Sequence, residues 1–433
     1  MAYRGLLRLG GVEIANSHRA ASYFDAIAQP RLTKTFDDTW VHTPRFLGQQ
    51  AYRLPKLDFA PWFDTDDPDS ADFGGIWPMA VDGLDSAGWE REVIPGNSHG
   101  GTFGLGRYRE RTIKVEAILY GANSVGLDYG LRWLTAVLRG DRCGGLNAGQ
   151  TLEYLSTAPN VDPTLDTASF NACVAPYKRE LHEVVMTAAP EITERFGVDE
   201  SSDAPTATAY KVTFELTAGV PWAFRPTGLL AAGLKFVTTG NPTPIYFEIC
   251  DGSPASVCTS SPGPLVDPQV PSVQTLVRPV PPKTITVCEP LDTRRLTTTI
   301  TKNAVPSTFD LVTTMTITAG STDARKLRVR WVRKPAGISD VQLLLDCYLV
   351  SDMYVSYIPA LDTLVLDGPT GRPYVTTPAG QVIDAQSVVS RSDGGPWSPP
   401  TLTCDDDYMV VIDAPGDVSA GLTVAISGTV RES

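Results

Sequence analysis

The sequence predicts a mainly β protein in two parts. An N-terminal α+β domain over residues 1–232 sets a β-sheet against one helix, and a C-terminal β-sandwich covers 291–433. Three observations predict this. An alternating strand, Arg111 to Tyr120, runs straight into an amphipathic helix at 123–139. The stretch 251–290 holds nine of the chain's 35 prolines. Beyond it the chain turns Thr- and Val-rich, in short alternating runs separated by turn residues.

In chain order, residues 1–60 read as short strands and irregular chain, with Leu6, Leu7 and Leu9 ahead of a Gly10-Gly11 turn. Pro61 to Phe73 (PWFDTDDPDSADF) reads as a turn-rich acidic loop. In the strand at 111–120, Ile113, Val115, Ala117 and Leu119 point one way. Thr112, Lys114 and Glu116 point the other, which is the period of a half-buried strand. Leu127, Leu131, Leu134 and Leu138 then recur at helical spacing, with Asn123 or Ser124 as cap and Gly140 as stop. No other segment reads as a convincing helix. Two more strands are expected at Leu181–Met186 and Tyr210–Leu216. In the second, Tyr210, Val212, Phe214 and Leu216 alternate with polar residues until Gly219-Val220-Pro221-Trp222 ends the run. The expected core of this domain is therefore Ile113, Val115, Leu119, Leu127, Leu131, Leu134, Leu138, Val212 and Phe214.

Proline removes backbone donors and fixes φ, so 251–290 is expected to be an extended linker. Past it, strands are expected at Leu327–Val332, Val341–Val350, Leu361–Leu366, Tyr408–Ile412 and Leu422–Ile426. Asp367-Gly368 and Asp393-Gly394-Gly395-Pro396 punctuate them, the pattern of a sandwich or jelly roll.

The chain has 433 residues, 42% of them hydrophobic, which is enough for ordinary cores. Its formal net charge is −13, spread along the chain without an acidic tail or a basic arm. Such a surface does not suit a general binder of nucleic acid or anionic membrane, which needs clustered Lys and Arg. The start, MAYRGLLRLGGVEIANS, lacks an apolar core for a signal peptide, and no stretch approaches the roughly 20 apolar residues of a span. A soluble protein made in a cytoplasm is expected. The seven cysteines include no CxxC pair. Cys250, Cys258 and Cys288 lie close together in the Pro-rich stretch, either as reduced thiols or with a disulfide of unknown pairing bracing it.

His18, His42, His99 and His182 are scattered and form no H-x-x-x-H or H-E-x-x-H pair, and no G-x-S-x-G elbow occurs. The glycines around Phe103 precede a strand instead of opening a helix, so they predict a hairpin-like loop and not a phosphate cradle. Asp64, Asp66, Asp67, Asp69 and Asp72 evoke a calcium loop, but counting from Asp64 places Asp69 and Gly75 where Gly and Glu are required. No enzyme activity, metal or cofactor is expected. Trp331, Tyr354, Tyr357 and Trp397 would form a sugar-stacking platform if exposed. Core packing is the ordinary fate of such aromatics, and on a regular strand Tyr354 and Tyr357 face opposite sides.

One resemblance spans most of the chain outside the linker. Its segments are GLDSAGWERE (83–92), RYRERTIKVEAILYG (107–121), LDYGLRWLTAVLRG (127–140) and KVTFELTAGVPWAF (211–224). In the second half they are STDARKLRVRW (321–331), YVSYIPALDTLVLDG (354–368) and SDGGPWSPPTLTC (392–404). In order and spacing they resemble the distal tail proteins of long, non-contractile-tailed bacteriophages, known as minor tail proteins in phages of actinobacteria. That resemblance implies a belt domain followed by a galectin-like β-sandwich. It implies a structural virion protein of the tail tip, assembled in the host bacterial cytoplasm. Six belts would close a homohexameric ring around the DNA exit channel, joining the tail tube protein to the tail-associated hub. The tape measure protein and host envelope glycans are further implied partners, with neither sequence-specific nucleic acid binding nor membrane insertion. The acidic loop near Trp62 and the Pro-rich linker depart from the pattern, leaving the placement of the second domain open. Two competing functions are a carbohydrate-binding module that contacts host-envelope glycans and a cell-wall hydrolase.

Overall fold

The computed structural model describes residues 2–27, 40–48, 52–96, 99–140, 149–197, 208–237, 243–248, 288–338, 348–391 and 393–432. Side chains are not described for 243–248 and 288–293. The chain divides into two compact units, Met1–Pro226 with Arg431–Ser433, and Thr227–Val430. In chain order the second unit is thus inserted ahead of the last three residues of the first.

The first unit opens with a hairpin of β1 (Tyr3–Leu9) and β2 (Val12–Asn16). Gly10 and Gly11 turn it at φ +57° and +80°, the two positive values that a tight hairpin turn demands. Helix α1 (Ser17–Ala26) follows at once, capped by Asn16, whose Oδ1 accepts from Arg19 N at 3.0 Å. A single turn, α2 (Thr43–Phe46), precedes β3 (Phe73–Asp82). Strands β4 (Trp89–Pro95) and β5 (Gly101–Tyr108) form a separate two-stranded sheet. Then come β6 (Arg111–Gly121) and α3 (Ser124–Arg139), capped by Asn123 and stopped by Gly140 at φ +72°. The unit is completed by β7 (Gln150–Leu155), α4 (Thr167–Val174), β8 (Lys178–Phe196), β9 (Ala209–Ala218) and the short β10 (Ala223–Phe224).

Its main sheet runs β2-β1-β7-β8-β9-β6-β3, with neighbours antiparallel. Successive residues of β6 face opposite sides, so the sheet has two covers. Ile113, Val115, Ala117 and Leu119 are buried with Leu127, Leu134 and Leu138 of α3, and with Val212 and Phe214 of β9. Leu131 is half-buried against the same cluster. Fully burying one such leucine contributes about 1.5–3 kcal/mol. On the opposite face, Tyr120 and Trp77 are buried with Tyr23 and Phe24 of α1. The expectation of a single helix is therefore corrected: α1 and α4 are also helical. The apolar face of α1 is short and alanine-rich, which hid its period.

The second unit is a sandwich. One sheet comprises β11 (Gly228–Lys235), β14 (Asp310–Thr318), β17 (Thr363–Asp367), β18 (Arg372–Thr376), β19 (Val382–Asp384) and β23 (Thr423–Glu432), with β21 (Thr401–Leu402) beside β14. The other comprises β12 (Thr243–Glu248), β13 (Cys288–Ile300), β15 (Ala324–Lys334), β16 (Leu349–Ile358), β20 (Val389–Arg391) and β22 (Asp407–Pro415). Ile317, Leu364, Leu366 and Ile426 from the first meet Leu327, Val329, Trp331, Val355 and Ile412 from the second in one core. Residues 251–287 of the expected linker, with Cys250 and Cys258, lie outside the described residues, and Cys288 begins β13. Residues 341–347 of the expected strand at 341–350 also lie outside them.

Candidate interaction surfaces

The acidic loop before β3 spends its polar groups on its own turns. Asp64 Oδ1 accepts from Asp66 N (2.9 Å) and Asp67 Oδ1 from Asp69 N (3.1 Å). Ser70 Oγ donates to Asp64 O (2.8 Å), while Asp72 Oδ2 accepts from Asn123 Nδ2 (2.9 Å) at the cap of α3. Trp62 Nε1 donates to Phe73 O (2.8 Å), and Tyr129 OH donates to Trp62 O (2.6 Å), which straps the loop to α3. Among the described residues, no group of three or more His, Cys, Asp or Glu side chains is arranged to hold a metal ion. No helix among them is long and apolar enough to cross a membrane.

The solvent face of β6 and β9 is polar. Lys114 Nζ lies 3.1 Å from Glu215 Oε1 and Lys211 Nζ 2.9 Å from Glu116 Oε1, as cross-strand neighbours do. Hydrogen bonding to Glu116 raises the pKa of Lys211. An open groove of about 340 Å³ runs beside this ladder, lined by Asp82, Lys114, Glu116, Ala188, Glu191 and Glu215.

The β4–β5 hairpin differs in kind. Leu105 is 96% exposed, Phe103 70% and Val93 60%. Val93 and Phe103 are register partners on one face, and an extra residue in β5 between Phe103 and Gly106 breaks the alternation before Leu105. On the Val93 face, Trp89 covers Gly106, where any Cβ would meet the indole at 2.2 Å, and it packs edge-on against Tyr108. At the root, Arg109 pairs with Glu90, and hydrogen bonding to Arg109 lowers the carboxylate's pKa.

In the sandwich, Trp331 and Trp397 are 1% and 8% exposed, within the core, and offer no ring face to a sugar. Tyr354 and Tyr357 are 39% and 38% exposed and lie on the same side, which corrects the expectation of opposite faces. The alternation slips where Ser356 and Tyr357 both point outward between buried Val355 and Ile358. It slips together with the facing strand, where Lys326 takes φ +53°. Arginines cover both rings: the guanidinium of Arg328 lies 5.3 Å from the Tyr354 centroid, and that of Arg325 lies 5.5 Å from the Tyr357 centroid. Asp352 in turn accepts two hydrogen bonds from Arg328, at 3.1 and 2.7 Å.

No protein-family model matches the chain. No curated protein matches it either. Among solved structures it is similar to the SPP1 Dit (gp 19.1) protein, at 11% identity and a TM-score of 0.37, covering 84% of this chain and 96% of that one. A chain of the phage p2 baseplate in its activated conformation with Sr gives 8% identity and a TM-score of 0.37, covering 86% and 93%. The CBM2 module of Lactobacillus casei BL23 phage J-1 evolved Dit gives 11% and 0.16, covering 32% and 70%.

Proposed function

We propose that this chain is a structural protein of a phage tail tip, of the distal tail type, and not an enzyme. Six copies close a ring through their first units, the belt domains. The ring joins the tail tube to the tail-associated hub and surrounds the channel through which DNA leaves. The second unit of the same chain is a galectin-like β-sandwich.

The observation that carries this reading is the contrast within the first unit between a packed body and an apolar hairpin left in solvent. Exposed apolar surface of this kind marks a contact with another molecule. The polar face of β6 and β9 suits a channel wall. Its two lysines are paired with glutamates, so neither is left to hold a phosphate, and the chain's acidity repels DNA. Segment order supports the same assignment, since the stretches resembling distal tail proteins fall on β4 to β6, α3, β9–β10 and the strands of the sandwich.

A second reading, a module contacting host-envelope glycans, draws on Tyr354 and Tyr357 sharing one exposed face. Arginine stacking on both rings weighs against it, because a sugar would have to displace the guanidinium groups. Immuno-electron microscopy of the encoding virus tests the first reading. Antibody against this chain is expected at the tail tip, and label confined to the head or absent from particles would contradict it.

A further inference from the structure

We infer that the end of β23 is a latch that sets the position of the β4–β5 hairpin. In place, Arg431 and Glu432 hold Trp222 against the root of the hairpin. Withdrawn, they leave the hairpin free to swing on its two connections to the body. The latch works within a single copy, so it holds with or without the ring.

The hairpin needs such a device. Strands β4 and β5 pair only with each other, and among the described elements no other strand or helix packs along them. An isolated two-stranded hairpin is at best marginally stable in water. Only its root is tied to the body by a run of side chains. Trp89 packs on Tyr108 with ring centroids 4.8 Å apart, and Tyr108 lies edge-on to Trp222 at 6.0 Å. The guanidinium of Arg431 lies over the Trp222 ring at 4.6 Å. Trp222 is therefore the link between the hairpin and the last strand.

The residues that follow Trp222 show what fastens it. Ala223 and Phe224 pair with Glu432 and Arg431, so the backbone that carries the indole is laced to the end of β23. Glu432 accepts hydrogen bonds from both Arg179 and Arg225. Arg179 is itself fixed, donating from Nη1 to Pro176 O at 2.6 Å and to Lys178 O at 2.7 Å. A single carboxylate thus joins two arginines. Its withdrawal leaves two cations side by side, which makes the fastening all-or-none.

Strand β23 belongs to the second unit as far as Val430 and to the first from Arg431. It runs unbroken from Thr423 to Glu432, with no loop to absorb a pull. A partner that draws on this strand therefore acts on the latch directly. Loss of Arg431 and Glu432 from their places removes the cation over Trp222 and the pairing of β10 together. A cation–π contact and an edge-on aromatic pair are each strong enough to orient the root and weak enough to release it. Phe103 and Leu105, already in solvent, then sweep a wider range than the latched hairpin allows.

Pulsed electron–electron distance measurement on the full chain tests the latch. Nitroxides are attached through p-acetylphenylalanine in place of Leu105 in the hairpin and of Ala136 on the exposed side of α3. An excess of unlabelled chain confines the signal to pairs within one copy. Without further substitution, the labelled chain should give one narrow distance distribution. R431S should widen it about twofold or more while circular dichroism shows the fold intact. E432Q, which keeps the shape of the side chain and loses its charge, should widen it in the same way, and so should Y108S. A distribution already broad without these substitutions, or one that stays narrow in R431S and E432Q, would overturn the latch. Widening in Y108S alone would also overturn it, since the hairpin would then be held by the body without help from the last strand.

Discussion

Glu432, in the last strand, is held by a two-pronged grip from Arg179, which lies 253 positions earlier. Arg179 donates from Nε to Oε2 at 2.6 Å and from Nη2 to Oε1 at 3.1 Å. Arg225 adds a third hydrogen bond to Oε1 at 2.6 Å. Arg431 lies over the Trp222 ring at 4.6 Å, and β10 pairs with this end of β23. The chain's last residues are thereby a structural part of the first unit.

Replacing Glu432 leaves Arg179, whose side chain is 8% exposed, as a buried charge without its carboxylate. E432A should therefore destabilise the first unit by about 3 kcal/mol. Urea unfolding followed by tryptophan fluorescence measures it. The exposed pair Lys114–Glu215 is the control, and K114A should change stability by less than about 0.5 kcal/mol.

Leu134 is fully buried between α3 and the sheet, whereas Leu131 is half-buried on the flank. L134A should cost about 3 kcal/mol and L131A about 1 kcal/mol. L134D places a carboxylate in that core and should abolish soluble folded protein. Equal melting temperatures for L134A and L131A would show that the helix does not pack this way.

Gly130 faces Phe73 so closely that a Cβ would stand 2.3 Å from the ring, which is itself wedged between Trp62 and Trp133. G130A should raise helix propensity yet destabilise, by about 1–3 kcal/mol, because the ring has nowhere to move. A stabilised variant in thermal melts would contradict this packing.

Burial raises the pKa of Tyr120 well above the ordinary value of 10, with Arg19 pulling the other way. Burial also raises Tyr154, opposed chiefly by Arg111. In the unfolded chain these phenols ionise near 10, so above that pH the unfolded state binds fewer protons than the folded one. Stability from these groups is complete below pH 10 and is lost as pH rises toward the folded pKa values. Absorbance at 295 nm should show a late group of tyrosines titrating together with alkaline unfolding, and Y120F should shrink that group.

Much of the fold was legible where local pattern and tertiary packing agree. The alternation at Ile113–Leu119, the leucines of α3 and the run at Tyr210–Leu216 each bury the side that their period marks. Helix α1 was not legible because Ala20 and Ala21 carry little hydrophobic signal, although Asn16 three residues before Arg19 is a capping position. Tyr354 and Tyr357 misled because a slip in alternation is shared between two strands and leaves no trace in either alone. The grip of Arg179 on Glu432 is a long-range pairing that no local period encodes. The hairpin was legible as a loop from its glycines, but the exposure of Phe103 and Leu105 was not, since an apolar residue in sequence reads as core.

Native mass spectrometry of the purified full chain, paired with negative-stain images, tests the central claim most directly. The ring account predicts a complex of about six times the mass of the chain, with six-fold rings around an open centre. A chain that stays a single copy at all concentrations, or a symmetric dimer with no ring, would contradict it.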